Sequence, residues 1–155
     1  MSLPDWKDMI SGQNCPLCQT RPDIDEYSFK IIELDVSTLY LERDQQYAGY
    51  CVLKFTKRHA TGLEHLTAEE HASFARDLKT AADAIYRAFT PDHMNYATLG
   101  NVIPHLHYHL IPRYKDDGRW GAPVWLTDLK DMPRKALKDA DYLFLVDKIK
   151  KSIIL

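Results

Sequence analysis

Three histidines at alternate positions, His105, His107 and His109, are the residues best placed to do chemistry in this sequence. Alternate residues of a β-strand point to one face, so a strand over 105–111 would place three imidazoles side by side. With seven histidines in 155 residues, chance gives about 0.014 occurrences of this spacing, which indicates a functional site. A purely structural role is a poor explanation, because each imidazole brings polar nitrogens that need partners.

Two kinds of chemistry fit three adjacent imidazoles. They could ligate one Zn²⁺ and leave a coordination position open for water, as in a metallohydrolase. Alternatively, one neutral imidazole could attack phosphorus, provided that its other nitrogen donates to a fixed acceptor and so sets the tautomer. Neighbouring histidines would then contact the phosphate oxygens. The spacing alone leaves both possibilities open.

A second candidate site is the pair Cys15 and Cys18, which has CxxC spacing. A redox role needs a thioredoxin-like βαβ context, and the sequence does not show one. A structural zinc site, the interpretation we favour, needs two further ligands, and without a second CxxC these must be histidines. The candidates are His59, His65, His71, His93 and one of the triad.

The sequence predicts the secondary-structure elements that position these residues. Together they indicate an α+β protein, a mostly antiparallel five-stranded sheet with helices packed on it. Strands are predicted at 27–34, 38–42, 49–55, 94–99 and 105–111, with Pro112 closing the last one. Thr67 and Glu70 form a capping box that opens an amphipathic helix, which ends at Pro91. A last helix is expected to begin at Pro133. Its predicted solvated face carries Lys130, Arg134, Lys135 and Lys138.

Length and composition limit the protein class. Residues 1–155 are predicted to form a single domain, with the CxxC in an N-terminal segment (1–22) and a C-terminal loop and helix (113–155). A net charge of −2 argues against a nucleic-acid partner, and no apolar run is long enough to span a membrane. The N-terminus lacks the pattern of a secretory signal, and the cysteine count is odd, so we expect a cytoplasmic protein.

The segment 100–111, GNVIPHLHYHLI, resembles the His-φ-His-φ-His-φ-φ signature of the histidine-triad (HIT) superfamily, where φ is an apolar residue. The wider run 95–113, NYATLGNVIPHLHYHLIPR, is similar to its bacterial, diadenosine polyphosphate hydrolase-like branch. The CxxC pair and the stretch Lys57-Arg58-His59 also match in order and spacing, so the resemblance covers residues 14–113.

The resemblance implies a histidine-triad fold and a nucleotide hydrolase that cleaves phosphoanhydride or phosphoramidate bonds to a nucleoside monophosphate. His107 would attack the α-phosphate and form a covalent nucleotidyl-histidine. His109 would contact the phosphate and position or protonate the leaving group, and Asn95 and Asn101 match residues that line the phosphate pocket. There are two alternatives, a nucleotidyltransferase and a nucleotide-binding sensor with little turnover.

Family members with a CxxC, which resemble galactose-1-phosphate uridylyltransferase, imply a zinc site made of Cys15, Cys18, His59 and His105. In them the first triad histidine turns away from the nucleotide. The superfamily also contains many dimers. The resemblance therefore allows a homodimer, for which Tyr86 and Phe89 are candidate contacts.

The chain departs from the family pattern at two places. Val102 stands where the family often has a Ser or Thr that assists the leaving group. A ribose-binding acid is expected around 42–44, where Asp44 is the candidate. Near the site, Arg113 could approach the phosphate or lie at the surface, and Trp120 and Trp125 are expected to pin their loop to the core rather than stack on a base.

Overall fold

The computed structural model describes residues 5–125 and 134–154, and its centre is a five-stranded antiparallel sheet of order β1-β2-β3-β5-β4. The helices within the described residues pack on this sheet, so the predicted α+β class is confirmed. No described helix is both long and apolar enough to cross a membrane. The strands are β1 (Ser28–Glu33), β2 (Ser37–Glu42), β3 (Cys51–Phe55), β4 (His93–Ala97) and β5 (His107–Arg113), and the helices are α1 (Trp6–Ser11), α2 (Ala68–Phe89) and α3 (Asp139–Lys151).

Alternation along the strands gives the sheet two faces of different character. The register of β3 against β5 pairs Lys54 with His107 and Val52 with His109, and directly opposed residues share a face. Leu53 and Leu110 belong to the other face, where both are completely buried under the helices. We call the face that carries His107 and His109 the histidine face, and the opposite one the core face.

Helix α2 covers the core face. Its Thr67 side chain accepts from the Glu70 N–H and the Glu70 carboxylate accepts from the Thr67 N–H, which confirms the predicted capping box. The buried stripe of this helix includes Phe74 and Ile85. Tyr86 points away from the core and is 53% exposed. The homodimer through this region stays a prediction.

A buried carboxylate on α2 ties the helix to the first hairpin. Asp77 is 5% exposed and accepts hydrogen bonds from the backbone N–H groups of Asp35 and Val36 and from the Ser37 hydroxyl. These donors belong to the β1–β2 turn and the start of β2, and those of Val36 and Ser37 would otherwise be buried without partners. The contact fixes where the first two strands lie under the helix.

The position of β5 corrects the strand predicted at 105–111. The strand begins at His107, and it continues through Pro112 to Arg113 instead of ending there. Pairing with β3 stops at Leu110, so beyond this point β5 has a partner strand on one side only, which is where a strand tolerates proline. His105 lies in the preceding loop, so only two of the three imidazoles stand on the strand.

The last helix also begins later than predicted. Residues 134–138 are not helical, and the lysines and arginine expected on a solvated helix face, Arg134, Lys135 and Lys138, are exposed but precede α3. The Lys135 N–H donates to the Asp44 carboxylate and the Lys135 carbonyl accepts from the Gln45 N–H, so this backbone is bonded to the β2–β3 loop instead of to a helix. Pro133 and Lys130 lie outside the described residues.

Candidate active site and metal centre

His107 and His109 face each other on the histidine face of β5. Their Nε2 atoms are 3.2 Å apart, and the two rings meet edge to face with centroids 4.9 Å apart. The remaining ring nitrogen of His107, Nδ1, lies 2.6 Å from the His105 carbonyl oxygen. The Nδ1 atom of His109 lies 2.7 Å from the Tyr50 hydroxyl.

These contacts assign the tautomers of both imidazoles. A carbonyl oxygen only accepts, so Nδ1 of His107 carries the hydrogen and its Nε2 keeps a free lone pair. The His109 Nε2 must therefore be the donor in the contact between the two rings, which leaves its Nδ1 to accept from the Tyr50 hydroxyl. The result is one directed chain of hydrogen bonds from Tyr50 through His109 and His107 to the His105 carbonyl.

Burial keeps both rings in the neutral form that this chain requires. It lowers the pKa of His107, and it lowers the pKa of His109 to about 4, with the neighbouring His107 as a second cause. At pH 7 the pair therefore offers one imidazole lone pair and one imidazole N–H, side by side.

Tyr50 is a site residue that the sequence analysis missed. It precedes β3 and stands two residues before Val52, the partner of His109, so it shares the histidine face. Only the pairing of β3 with β5 reveals this, because 59 residues separate Tyr50 from His109. Trp125 closes the other side, with its ring centroid 5.0 Å from that of His109. Trp125 thus contacts the site itself, whereas Trp120 is 47% exposed.

The second cluster contains Cys15, Cys18, His59 and His105, whose potential ligand atoms all lie within 4.8 Å of one another. The Cys18 Sγ is 3.2 Å from the His59 Nδ1 and 3.4 Å from the His105 Nδ1, and the Cys15 Sγ is 3.5 Å from the His105 Nδ1. These four residues can hold a metal ion.

Backbone carbonyls orient both histidines of this cluster. The His105 Nε2 lies 2.7 Å from the Phe55 oxygen and the His59 Nε2 lies 3.0 Å from the Ile10 oxygen. Each Nε2 therefore carries its hydrogen, and each Nδ1 presents a lone pair to the sulfurs, which is the arrangement of metal-bound imidazoles with carbonyl partners. Three other cluster candidates from the sequence, His65, His71 and His93, are exposed and lie outside the group.

Arg113 organises the loop after β5 instead of reaching a phosphate or the surface. Its side chain is 3% exposed and donates to both carboxylate oxygens of Asp117 and to the carbonyls of Arg119 and Ala122. It also donates to the Asn95 amide oxygen at 2.7 Å. Because the Asn95 oxygen is used in this contact, the NH₂ group of the same amide can donate hydrogen bonds elsewhere.

Other predicted site residues are less closely associated with the triad. Asn95 shares the histidine face, because it is paired with Ile111 while Ala97 is paired with His109. Asn101 is exposed in the loop between β4 and β5. The Asp44 carboxylate accepts from two backbone N–H groups, those of Gln46 and Lys135.

Two cavities lie beside Trp125 and Val124, and both residues line each cavity. One, of about 220 Å³, has Glu42, Asp44 and Tyr50 in its wall. The other, of about 900 Å³, lies over β4 and the loop that carries Trp120. Neither His107 nor His109 lines these cavities; the cavities adjoin the pair through Trp125, whose ring packs against that of His109.

Comparison with known proteins identifies this arrangement. The HIT domain model matches residues 24–116. No curated protein matches the sequence significantly. A histidine triad protein from Bradyrhizobium japonicum shares the fold with a TM-score of 0.75 at 23% identity, covering 88% of this chain and 98% of that chain.

Two further crystal structures are informative. A HIT-family member from Bacillus subtilis is 25% identical with a TM-score of 0.55, and the match covers 96% of this chain and 95% of that chain. A histidine triad family protein from Mycobacterium smegmatis, described as Zn-bound, has a TM-score of 0.56 at 18% identity, covering 79% of this chain and 81% of that one. With the domain match spanning more than half of its length, this chain belongs to the HIT family.

Proposed function

We propose that this protein is a nucleotide hydrolase that cleaves phosphoanhydride or phosphoramidate bonds through a nucleotidyl intermediate on the Nε2 atom of His107. Membership of the HIT family indicates nucleotide binding with hydrolase or transferase activity. The observation that supports the covalent mechanism is the 2.6 Å contact between the His107 Nδ1 and the His105 carbonyl. It leaves Nε2 without a hydrogen, so that this atom can attack once the His109 N–H turns to the leaving group, and it stabilises the positive charge that the ring acquires on attack.

The proposed reaction needs one bond to form and one to break at phosphorus. The His107 Nε2 attacks the α-phosphorus, and the bond from phosphorus to the leaving oxygen or nitrogen breaks. The His109 Nε2–H, 3.2 Å from the nucleophile, donates a hydrogen bond to the leaving atom and stabilises the negative charge that develops on it, and a leaving group that needs a proton takes it from solvent. Water then attacks the phosphorus, the bond from phosphorus to the His107 Nε2 breaks, and the nucleoside monophosphate leaves while one proton of the water passes to solvent. Because Val102 has no hydroxyl, the hydrogen bond to the leaving group depends on His109.

We also propose that the cation held by the Cys/His cluster is Zn²⁺ and that its role is structural. With Zn–S of about 2.3 Å and Zn–N of about 2.0–2.1 Å, a tetrahedron places sulfur and nitrogen about 3.5 Å apart. The three sulfur–nitrogen distances observed, 3.2, 3.4 and 3.5 Å, are close to this value. A mixed set of two thiolates and two imidazoles is typical of closed structural zinc sites.

The orientation of His105 does not support the three-histidine metallohydrolase. One of its ring nitrogens is hydrogen-bonded to the Phe55 carbonyl and the other faces the two sulfurs. Neither nitrogen is directed at His107 or His109. The triad is therefore divided between two sites, with one histidine in the metal cluster and two in the nucleotide site.

Mass spectrometry of the intact protein tests the covalent mechanism. The protein is mixed briefly with a panel of dinucleoside polyphosphates and nucleoside phosphoramidates and quenched without acid, because a phosphoramidate bond to histidine is acid-labile. We expect an added nucleoside monophosphate that maps to His107. Release of the free monophosphate indicates a hydrolase, and transfer to an added phosphate acceptor indicates a transferase. Nucleotide binding without adduct or turnover would contradict the proposal and identify a sensor.

The Tyr50 hydroxyl gives a second test, since it sets the tautomer of His109. Tyr50→Phe should lower kcat about 3- to 10-fold, because a neutral hydrogen bond contributes about 1 kcal/mol and each 1.36 kcal/mol is tenfold in rate. The loss should be larger for leaving groups that need a proton. Tyr47→Phe is the matched control, since Tyr47 lines the same small cavity but has no contact with the triad. Equal kcat values for the two variants would show that Tyr50 does not act through His109.

A further inference from the structure

Lys54 lies directly opposite the proposed nucleophile. The two residues are paired across β3 and β5, so their side chains leave the same face of the sheet about 5 Å apart at Cβ. The Lys54 side chain is almost completely buried, at 6% exposure. Its ammonium group lies 4.0 Å from the centroid of the Tyr40 ring.

The ammonium group of Lys54 has no acidic or carbonyl partner among the residues that the structure describes. The histidine face carries two other cations on its strands, and both are paired. Lys30 forms ion pairs with Asp23 and Glu33. Arg113 is held by Asp117. Lys54 alone forms neither a hydrogen bond nor an ion pair and has only the aromatic face of Tyr40.

Such an arrangement is costly for the folded protein. Removing an ammonium group from water without supplying an anion is unfavourable, and a cation–π contact recovers only part of that cost. Burial accordingly lowers the pKa of Lys54 to about 8, with the positive Arg21 as a further cause and Glu42 opposing both. Glu42 and Asp25 attract Lys54 electrostatically, but neither forms an ion pair or a hydrogen bond with it in the described part of the chain. A buried charge that the fold compensates only at a distance, without a hydrogen bond or ion pair, can take an anionic ligand as its direct partner.

We propose that Lys54 binds the substrate phosphate at the moment when His107 attacks it, and so makes the site selective for anionic phosphoryl groups. This inference rests on the proposed function, and it names Lys54 as the positive charge that binds the substrate phosphate in that reaction. A phosphate next to the His107 Nε2 is within reach of a lysine that starts from the neighbouring strand. The ammonium group then exchanges the ring of Tyr40 for a non-bridging phosphate oxygen, which forms a charge-assisted hydrogen bond.

The role predicts two opposite effects of Lys54→Met. The variant should bind nucleoside monophosphates about 10- to 100-fold more weakly, because a hydrogen bond between charged groups is lost. Its melting temperature should stay the same or rise, because the buried charge is removed while the methylene packing is kept. A merely structural lysine would lower the melting temperature when replaced. Lys54→Arg retains the charge and should bind within a few-fold of the wild-type protein.

The experiment uses isothermal titration calorimetry with AMP, GMP, CMP and UMP, and with the four uncharged nucleosides. Lys57→Met is the matched control, because this lysine follows the same strand but its side chain is 53% exposed near Glu70. Weaker monophosphate binding with unchanged nucleoside binding in Lys54→Met alone supports the inference. Wild-type monophosphate affinity in that variant, or a lower melting temperature, overturns it and leaves the proposed function intact. If the wild-type protein binds no monophosphate, the proposed function itself fails, and the role of Lys54 fails with it.

Discussion

His107→Ala should abolish the nucleotidyl adduct and lower turnover by at least ~10²–10⁴-fold, because no other described side chain offers a free imidazole lone pair at this position. The His109 Nε2 carries a hydrogen in the assigned tautomer and cannot take over as the nucleophile. The melting temperature and metal content should be close to those of the wild-type protein, since the metal cluster does not include His107. Intact mass spectrometry and steady-state kinetics measure the two losses.

The controls for this prediction separate chemistry from folding. His71→Ala removes an exposed histidine of α2 and should leave the adduct and turnover unchanged. His109→Ala should still keep its metal while turnover falls, because only the hydrogen-bond donor to the leaving group is lost. Wild-type turnover in His107→Ala would disprove the covalent mechanism. Loss of metal from His107→Ala would instead show that the three histidines bind one metal ion.

Removal of the metal should destabilise the protein strongly. The cluster joins three separate parts of the chain, namely the turn after α1 with Cys15 and Cys18, the segment after β3 with His59, and the loop before β5 with His105. Structural zinc in small peptides contributes roughly 10–16 kcal/mol of apparent binding free energy, so chelation or Cys15→Ser should lower the melting temperature clearly. Calorimetry before and after treatment with a chelator measures this loss, and elemental analysis should give one zinc per chain.

Two variants identify which histidines hold the metal. His105→Ala should lose both zinc and thermal stability, although His105 is only two residues from the nucleophile. His65→Ala is the matched control, because this exposed histidine is near His59 in sequence but is hydrogen-bonded to Thr61 instead of facing the sulfurs. Protein purified without chelator that contains no metal, or that melts at the same temperature after chelation, would contradict a structural zinc site.

The sequence by itself determined the fold class and the identity of the principal groups. Local patterns sufficed for this. The capping box at Thr67 depends on residues three apart, and the strands are visible as short runs rich in β-branched and aromatic residues. The triad motif likewise lies within five consecutive residues. The resemblance that it carries predicted the same four residues that the structure brings together in the metal cluster, Cys15, Cys18, His59 and His105.

The tertiary structure decided how these groups divide their roles and which partners they have. His105 leaves the strand because its ring nitrogens are bound by Phe55 and the sulfurs, which come from distant parts of the chain. Tyr50 and Lys54 reach the site through the pairing of β3 with β5, a contact across more than 50 residues that no local pattern encodes. The sequence allowed Arg113 to approach a phosphate or to lie at the surface, yet it is buried, because the loop that follows folds back and supplies Asp117 and two carbonyls. Contacts of this kind depend on how the strands are ordered in space. Local sequence patterns therefore identify the functional side chains, but the strand order of the sheet determines which of them are in contact.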